Sequence, residues 1–223
     1  MKLFPNSMLS LAAAQELSRL QDLEGRRAEL RKSSANGGLK RFVDIAGATV
    51  GLIISAPLIA IFGLLIYRES KGSIFYKQTR TGKDGRSFTI YKLRSMKLDS
   101  EVSGAGWTVA NDPRCLKVGA LMRKLNIDEV PQFWNVLKGD MSLVGPRPER
   151  PEHIVRLEKE IPNYNDRHAV KPGITGWAQV NGWRGDTDLT ERVKCDVEYI
   201  ERFSIVWDLI IMMKTFFNRQ NAY

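Results

Sequence analysis

Cysteine and histidine are scarce in this 223-residue chain, with only two of each. Cys115 and Cys195 stand far apart and outside any CxxC or Cys/His ligand spacing, so neither a disulfide framework nor a zinc site is indicated, and a reducing compartment suits them better. His153 and His168 have no nucleophile partner at a recognisable spacing. The sequence contains no HExxH, no GxGxxG and no GxxxxGK[ST], which removes support for zincins, dinucleotide-binding folds and P-loop enzymes. Residues 1 to 30 lack the basic start, short apolar core and cleavage site of a secretory signal, so the N-terminus is expected to stay on the protein. Internal repeats and low-complexity tracts are also missing. Negative charge is in deficit, 25 Asp+Glu against 34 Lys+Arg, for a formal net charge of +9. An anionic partner follows: nucleic acid, acidic lipid headgroups or a phosphorylated substrate. The length suits one compact domain with an appendage.

What is present divides the chain into three parts. Residues 1–38 hold an amphipathic helix from Met8 to Arg31, with Leu9, Ala13, Leu17, Leu20, Leu23 and Leu30 mostly at helical spacing, followed by a Ser/Asn/Gly linker. Its readings are a solvated helix, a packing arm for another subunit as in a homodimer, or a helix lying on a membrane surface. Residues 39–70 include an uncharged stretch, Ile45 to Tyr67, long enough to cross a bilayer core of roughly 30 Å. Pro57 interrupts its middle, leaving arms of about 11 residues that each reach about 17 Å. Arg31, Lys32, Lys40 and Arg41 precede this stretch, and Arg68, Lys71, Lys77 and Arg80 follow it, which favours both ends on the cytoplasmic side. A re-entrant helical hairpin is therefore expected, against a kinked transmembrane helix or a buried core helix.

Residues 71–223 are expected to form a small cytosolic catalytic domain, giving an α+β, mostly helical protein overall. Ser73 to Tyr76 and Phe88 to Leu93 read as a hairpin turned at Lys83-Asp84-Gly85. Val118, Leu121, Met122 and Leu125 give a helical stripe, and Pro131 to Leu137 a second short helix. Ile174 to Asn181 alternates as a strand. Phe203 to Phe217 is too apolar for a simple surface helix, so it packs in the core or lies in a membrane interface with Trp207 and Lys214 near headgroups.

The chemistry concentrates at Asp128 and Glu129, adjacent carboxylates at the expected start of a helix. Neighbouring helical side chains diverge by about 100°, so the two cannot do the same job on one atom. One can attack while the other binds a metal. Lys92, Arg94, Arg123 and Arg147 lie on short ordered elements around them, the arrangement phosphoryl transfer needs to position and neutralise charged oxygens. Arg147, bracketed by Pro146 and Pro148, must occupy a rigid loop.

These residues carry a resemblance. Lys40-Arg-Phe-Val-Asp44, Gly72 to Gln78, Phe88 to Met96, Leu125-Asn-Ile-Asp-Glu-Val-Pro-Gln132, Asn135 to Pro148 and Lys171 to Gly182, in this order, resemble the monotopic phosphoglycosyl transferases, also called bacterial sugar transferases. The resemblance runs from about Lys40 to Tyr223. It implies that Asp128 attacks the β-phosphate of a UDP-sugar, releases UMP and forms an aspartyl phosphosugar that undecaprenyl phosphate resolves, with Glu129 coordinating Mg2+. Arg147, Arg123, Lys92 and Arg94 would bind substrate phosphate, and Gly176, Gln179 and Asn181 the nucleotide or sugar. The partners so implied are a UDP-sugar, undecaprenyl phosphate and the bacterial cytoplasmic membrane, with the catalytic domain on its cytoplasmic face and no nucleic acid. The family breaks its membrane helix at a Ser-Pro pair. Here the order is Ser55-Ala56-Pro57, which turns the serine hydroxyl away by about 100°, although the kink is still expected. The stretch Asn181 to Asp188, with the ending Asn221-Ala-Tyr223, looks most like members that load glucose-1-phosphate to start exopolysaccharide synthesis. A membrane-tethered nucleic-acid module, motivated by Trp107, Trp134, Trp177 and Trp183 near basic residues, and a non-catalytic membrane scaffold are the rival readings.

Overall fold

A computed structural model describes residues 6–98, 100, 112–185 and 187–217. Trp107, Asp186 and the ending Asn221 to Tyr223 lie outside them. The chain begins with α1 (Asn6–Arg31), whose later turns dock on this same chain. Leu30 enters the core, Arg26 and Arg27 lie 2.9 and 3.5 Å from the buried Asp166, and Arg31 pairs with Asp84 at 2.8 Å. Leu17 and Leu20 remain exposed.

Helix α2 (Gly38–Glu69) runs for 32 residues with Pro57 inside it, so the expected break appears as one continuous helical segment. Ser55 donates to the Leu52 carbonyl at 3.4 Å. The carbonyl that Pro57 frees belongs to Ile53, four residues earlier, so the displaced serine serves a different carbonyl. Both arms of α2 face the rest of the protein. On the first, Ala48 joins the main core, while Gly47 and Gly51 admit the Leu143 and Phe133 side chains where a Cβ would collide. On the second, Ile66 packs with Leu93, Leu116 and Met122. Ile45, Val50, Ile53, Ile54, Leu58, Ile61, Leu64 and Leu65 are exposed, an apolar face that water does not favour.

Strands β1 (Phe75–Thr81) and β2 (Ser87–Leu93) pair antiparallel from Phe75↔Leu93 to Thr81↔Ser87. The first strand begins later and runs longer than its apolar residues suggest. Ser73 folds back to accept from the Phe75 amide, and pairing with β2 then carries the polar run to Thr81. Helices α3 (Lys117–Leu125) and α4 (Gln132–Lys138) follow, ended by Asn126 and Gly139 in left-handed conformations. Next come β3 (Ser142–Val144), α5 (Pro151–Glu160), β4 (Gly173–Thr175), α6 (Trp177–Val180), α7 (Leu189–Glu201) and α8 (Ile205–Phe217). Of the strand expected over Ile174 to Asn181 only Ile174 and Thr175 are extended, within β4, which starts one residue earlier and runs parallel to β3. Gly176 ends it by lying against the Gly145 carbonyl with no room for a Cβ, and Trp177 starts a helix whose indole packs edge-on against Trp207. Helix α8 buries Asp208 and Ile211 and leaves Leu209, Ile210, Met213, Phe216 and Phe217 exposed.

A buried polar cluster fastens α2 to this body. Lys40 lies 2.8 Å from Asp44 and 2.7 Å from Asp208, Asp44 accepts from the Ser142 hydroxyl and the Leu143 amide, and Tyr199 donates to Asp208 at 2.9 Å. Every charge in it has a partner, as burial demands.

Candidate active site

Asp128 and Glu129 sit in a 3-10 turn, Ile127–Glu129, between α3 and α4 rather than in a helix proper. Asn126, in the left-handed region at φ 56°, ends α3 and makes the turn. Asparagine tolerates that conformation better than most residues. Both carboxylates are buried, each 7% exposed.

Their surroundings differ sharply. Lys92, from β2, donates to Glu129 Oε1 at 2.7 Å, and Arg147 forks onto both of its oxygens at 2.5 and 3.2 Å. Burial pushes the Glu129 carboxyl up, but the Arg147 guanidinium and Lys92 ammonium outweigh it and hold the group well below the usual carboxylate range. Asp128 accepts no hydrogen bond among the described residues. Burial raises its pKa, Glu129 adds to the rise, and Lys92, Arg123 and Arg147 oppose it from a distance. Two adjacent carboxylates are thus pushed in opposite directions, which separates their chemical roles.

The cations expected around the pair divide in the same way. Lys92 and Arg147 touch Glu129; burial lowers the Lys92 pKa while Glu129 raises that of Arg147. Arg123 binds the Ser95 hydroxyl at 2.9 Å and reaches Asp128 only electrostatically. Arg94 is elsewhere. Its guanidinium is buried against the carbonyls of Ser70 and Lys71, just past the end of α2, so its hydrogen bonds serve the chain and do not reach the carboxylates. Sequence spacing alone cannot distinguish a cation that faces the site from one that closes a helix end.

Gly176, Gln179 and Asn181 form no hydrogen bond with either carboxylate. Gln179 donates to the Ile174 carbonyl at 3.1 Å, and its own buried oxygen accepts no hydrogen bond among the described residues. Asn181 donates to the Trp177 carbonyl and borders a cavity of about 570 Å³ with Ile210, Met213, Lys214 and Phe217. Gly176 acts through the backbone, since its contact with Gly145 seats the base of the Pro146-Arg147-Pro148 loop.

The structure brings one further cation to the site. Arg184, from the loop before α7, donates to Asn126 Oδ1 at 3.4 Å, two residues before Asp128. Burial lowers its pKa, with Arg147 adding to the drop while Glu129 and Asp128 resist it, so it lies within electrostatic reach of all three. Its signal in the sequence is its place in the Asn181 to Asp188 stretch already singled out by resemblance.

The chain matches the bacterial sugar transferase family over residues 35–221. It is 46% identical over 179 residues, 79% of its length, to UDP-N-acetylgalactosamine-undecaprenyl-phosphate N-acetylgalactosaminephosphotransferase of Aeromonas hydrophila. To UDP-glucose:undecaprenyl-phosphate glucose-1-phosphate transferase of Escherichia coli (strain K12) it is 44% identical over 189 residues, 83% of its length. It spans only 42% and 41% of those two longer proteins. A third relative, the exopolysaccharide production protein PSS of Rhizobium leguminosarum bv. phaseoli, is 42% identical over 189 residues, and 92% of it is covered. Matched by the family over most of its length, the chain belongs to the bacterial sugar transferase family.

Proposed function

We propose that this chain transfers a hexose-1-phosphate from a UDP-sugar to undecaprenyl phosphate in two displacements on Asp128. A carboxylate oxygen of Asp128 forms a bond to the β-phosphorus, the bond from that phosphorus to the bridging oxygen breaks, and UMP leaves with the electron pair. A phosphate oxygen of the lipid then attacks the same phosphorus, and Asp128 departs as a carboxylate. The observation that carries this reading is the contrast within the pair: Glu129 is saturated by Lys92 and Arg147, while Asp128 is buried, accepts no hydrogen bond among the described residues and keeps its lone pairs available.

Magnesium fits this donor set with substrate help. No group of three or more His, Cys, Asp or Glu side chains converges among the described residues. Mg2+ commonly takes only one or two carboxylates, with substrate phosphates and water completing its shell. Glu129 is the residue that would hold it, provided that Arg147 and Lys92 turn from Glu129 onto the incoming diphosphate. Bound there, the ion supplies charge neutralisation to the phosphate oxygens. Arg147 supplies a planar fork that matches two of those oxygens, and Lys92 a point charge beside them.

The same reading places α2 in one leaflet of the bacterial cytoplasmic membrane, with both ends on the cytoplasmic face. Two facts support it: both arms of α2 pack on the same body, and the face between them is apolar and exposed. We take UDP-glucose as the donor on the strength of the Asn181 to Asp188 stretch, since relatives are named for glucose, N-acetylgalactosamine and galactose alike. The test incubates purified protein with UDP-glucose, UDP-galactose or UDP-N-acetylgalactosamine, each with and without undecaprenyl phosphate. The reading expects a phosphosugar adduct on the protein without lipid and sustained UMP release with it, highest for UDP-glucose. No adduct and no UMP from any donor would refute it.

A further inference from the structure

Behind the carboxylates lies a group of buried charges that the proposed reaction does not use. Arg167, only 2% exposed, donates to the main-chain oxygen of Arg147 at 2.8 Å, sits 2.7 Å from Asp196, and donates to the Tyr164 hydroxyl at 3.0 Å. Arg192 donates to Glu149 at 2.9 Å and, through its other nitrogen, to the main-chain oxygen of Gly185 at 2.7 Å and the Thr187 hydroxyl at 3.2 Å. Arg167 and Glu149 are 4.0 Å apart, which joins the two pairs. Each arginine therefore grips, by its backbone, a loop that carries a site cation: Arg147 itself, and Gly185 next to Arg184.

Stability is a weak account of this quartet, because buried ion pairs often contribute no more than well-packed apolar side chains. Position is a stronger one. Arg147 lies within electrostatic reach of Arg184 and repels it, and Arg184 has no ion-pair partner among the described residues to hold it in place. Fixing both by their main chains lets the Arg147 guanidinium swing from Glu129, and the Arg184 guanidinium from Asn126, onto an incoming anion without moving either loop. We propose that Arg167–Asp196 and Arg192–Glu149 are positioning pairs that hold two phosphate-binding arginines, Arg147 and Arg184, about the carboxylate pair, with Arg184 a further ligand for the diphosphate of the sugar nucleotide. This rests on the proposed function for the identity of the anion.

A double-mutant cycle tests it. Arg167→Lys keeps the charge but cannot reach both the Arg147 carbonyl and Asp196, so adduct formation from UDP-glucose should fall about a hundredfold, as small misplacements near the chemistry do. In an Arg147→Lys background, where the fork is already lost, Arg167→Lys should cost less than about threefold further. Arg192→Lys should behave in the same way against Arg184→Gln, and Arg184→Gln alone should weaken UDP-glucose binding, measured by calorimetry, about tenfold or more. Thermal unfolding accompanies each variant, and Asp196→Asn replaces Arg167→Lys if the latter does not fold. Equal losses in both backgrounds, or failure of both variants to fold, would make the quartet purely structural and overturn the proposal. Unchanged UDP-glucose affinity in Arg184→Gln would remove Arg184 as a ligand. A wild-type chain that binds UDP-glucose yet forms no adduct would sink the proposed function instead, and the same cycle read by affinity would still decide the positioning role.

Discussion

Replacing Arg147 with lysine separates charge from shape. The wild-type guanidinium donates to two oxygens of Glu129 at 2.5 and 3.2 Å, and Pro146, Pro148 and the Arg167 contact fix its backbone. On the proposed function the same fork turns to two phosphate oxygens. Lysine offers one nitrogen, so at least one charge-assisted hydrogen bond is lost, worth about 1.5–3 kcal/mol. At about 1.36 kcal/mol per factor of ten, this predicts a loss of roughly 10- to 150-fold in the rate of adduct formation. Folding should survive, because Glu129 keeps Lys92 at 2.7 Å and the new ammonium retains the charge. Single-turnover adduct formation by intact mass and steady-state UMP release give the rate, and thermal unfolding gives the control. A folded variant working within about threefold of wild type would refute the reasoning, leaving Arg147 a clamp for Glu129 and no more.

The asymmetry of the site and the packing of α2 yield four other expected outcomes. Asp128→Asn should form no adduct and release no UMP at any Mg2+ concentration, with thermal stability equal to wild type or higher because a buried charge is gone; Glu129→Gln leaves Lys92 and Arg147 facing each other without an anion and should lose about 3 kcal/mol of stability, the low end since the Arg147 side chain is 31% exposed, with residual activity that needs more Mg2+. Because the folded pKa of Asp128 is raised, its protonated form persists above the ordinary range near 3.9; adduct formation measured across acidic pH should climb later than an unperturbed carboxylate allows, while the stability this group contributes is greatest in acid and is lost as pH rises through its folded pKa. Cysteines at the exposed positions Leu39 and Lys77, in a chain lacking Cys115 and Cys195, should both label from the cytoplasmic side, and labelling from opposite faces would exclude the one-leaflet placement.

The parts of the fold that were legible in the sequence are those where periodicity reflects burial. The apolar run of α2, the stripe of α3 and the length of α8 all announce themselves. Helix α7 does not, although its buried face has regular helical spacing: Arg192, Val193, Asp196, Tyr199 and Ile200. Two of those five are charged, so the apolar pattern that marks a core helix is broken by the very residues that form the positioning quartet. The site shows the same limit. Asp128, Glu129 and Arg147 can be picked out from adjacency and flanking prolines, which are local. The destination of an arginine depends on which distant backbone it meets, so Arg94 could not be told from Lys92, and Arg184 reaches the site only through a loop placed by Arg192.

The carboxylates also owe their position to α2, through a device that needs both of its ends. Glu69 accepts from the Lys117 and Val118 amides at 2.6 and 3.0 Å, placing an anion at the N-terminus of α3. Arg41 donates to the Val136 and Leu137 carbonyls at 2.5 and 2.8 Å, placing a cation at the C-terminus of α4. Each charge has the sign its helix end favours and satisfies backbone groups that the helix leaves open. The turn bearing Asp128 and Glu129 joins these two helices, so it is suspended between the two ends of α2. On the proposed function, the depth at which α2 rests in the lipid therefore fixes the height of Asp128, which lets a soluble nucleotide sugar and a membrane-bound phosphate reach the same oxygen in turn.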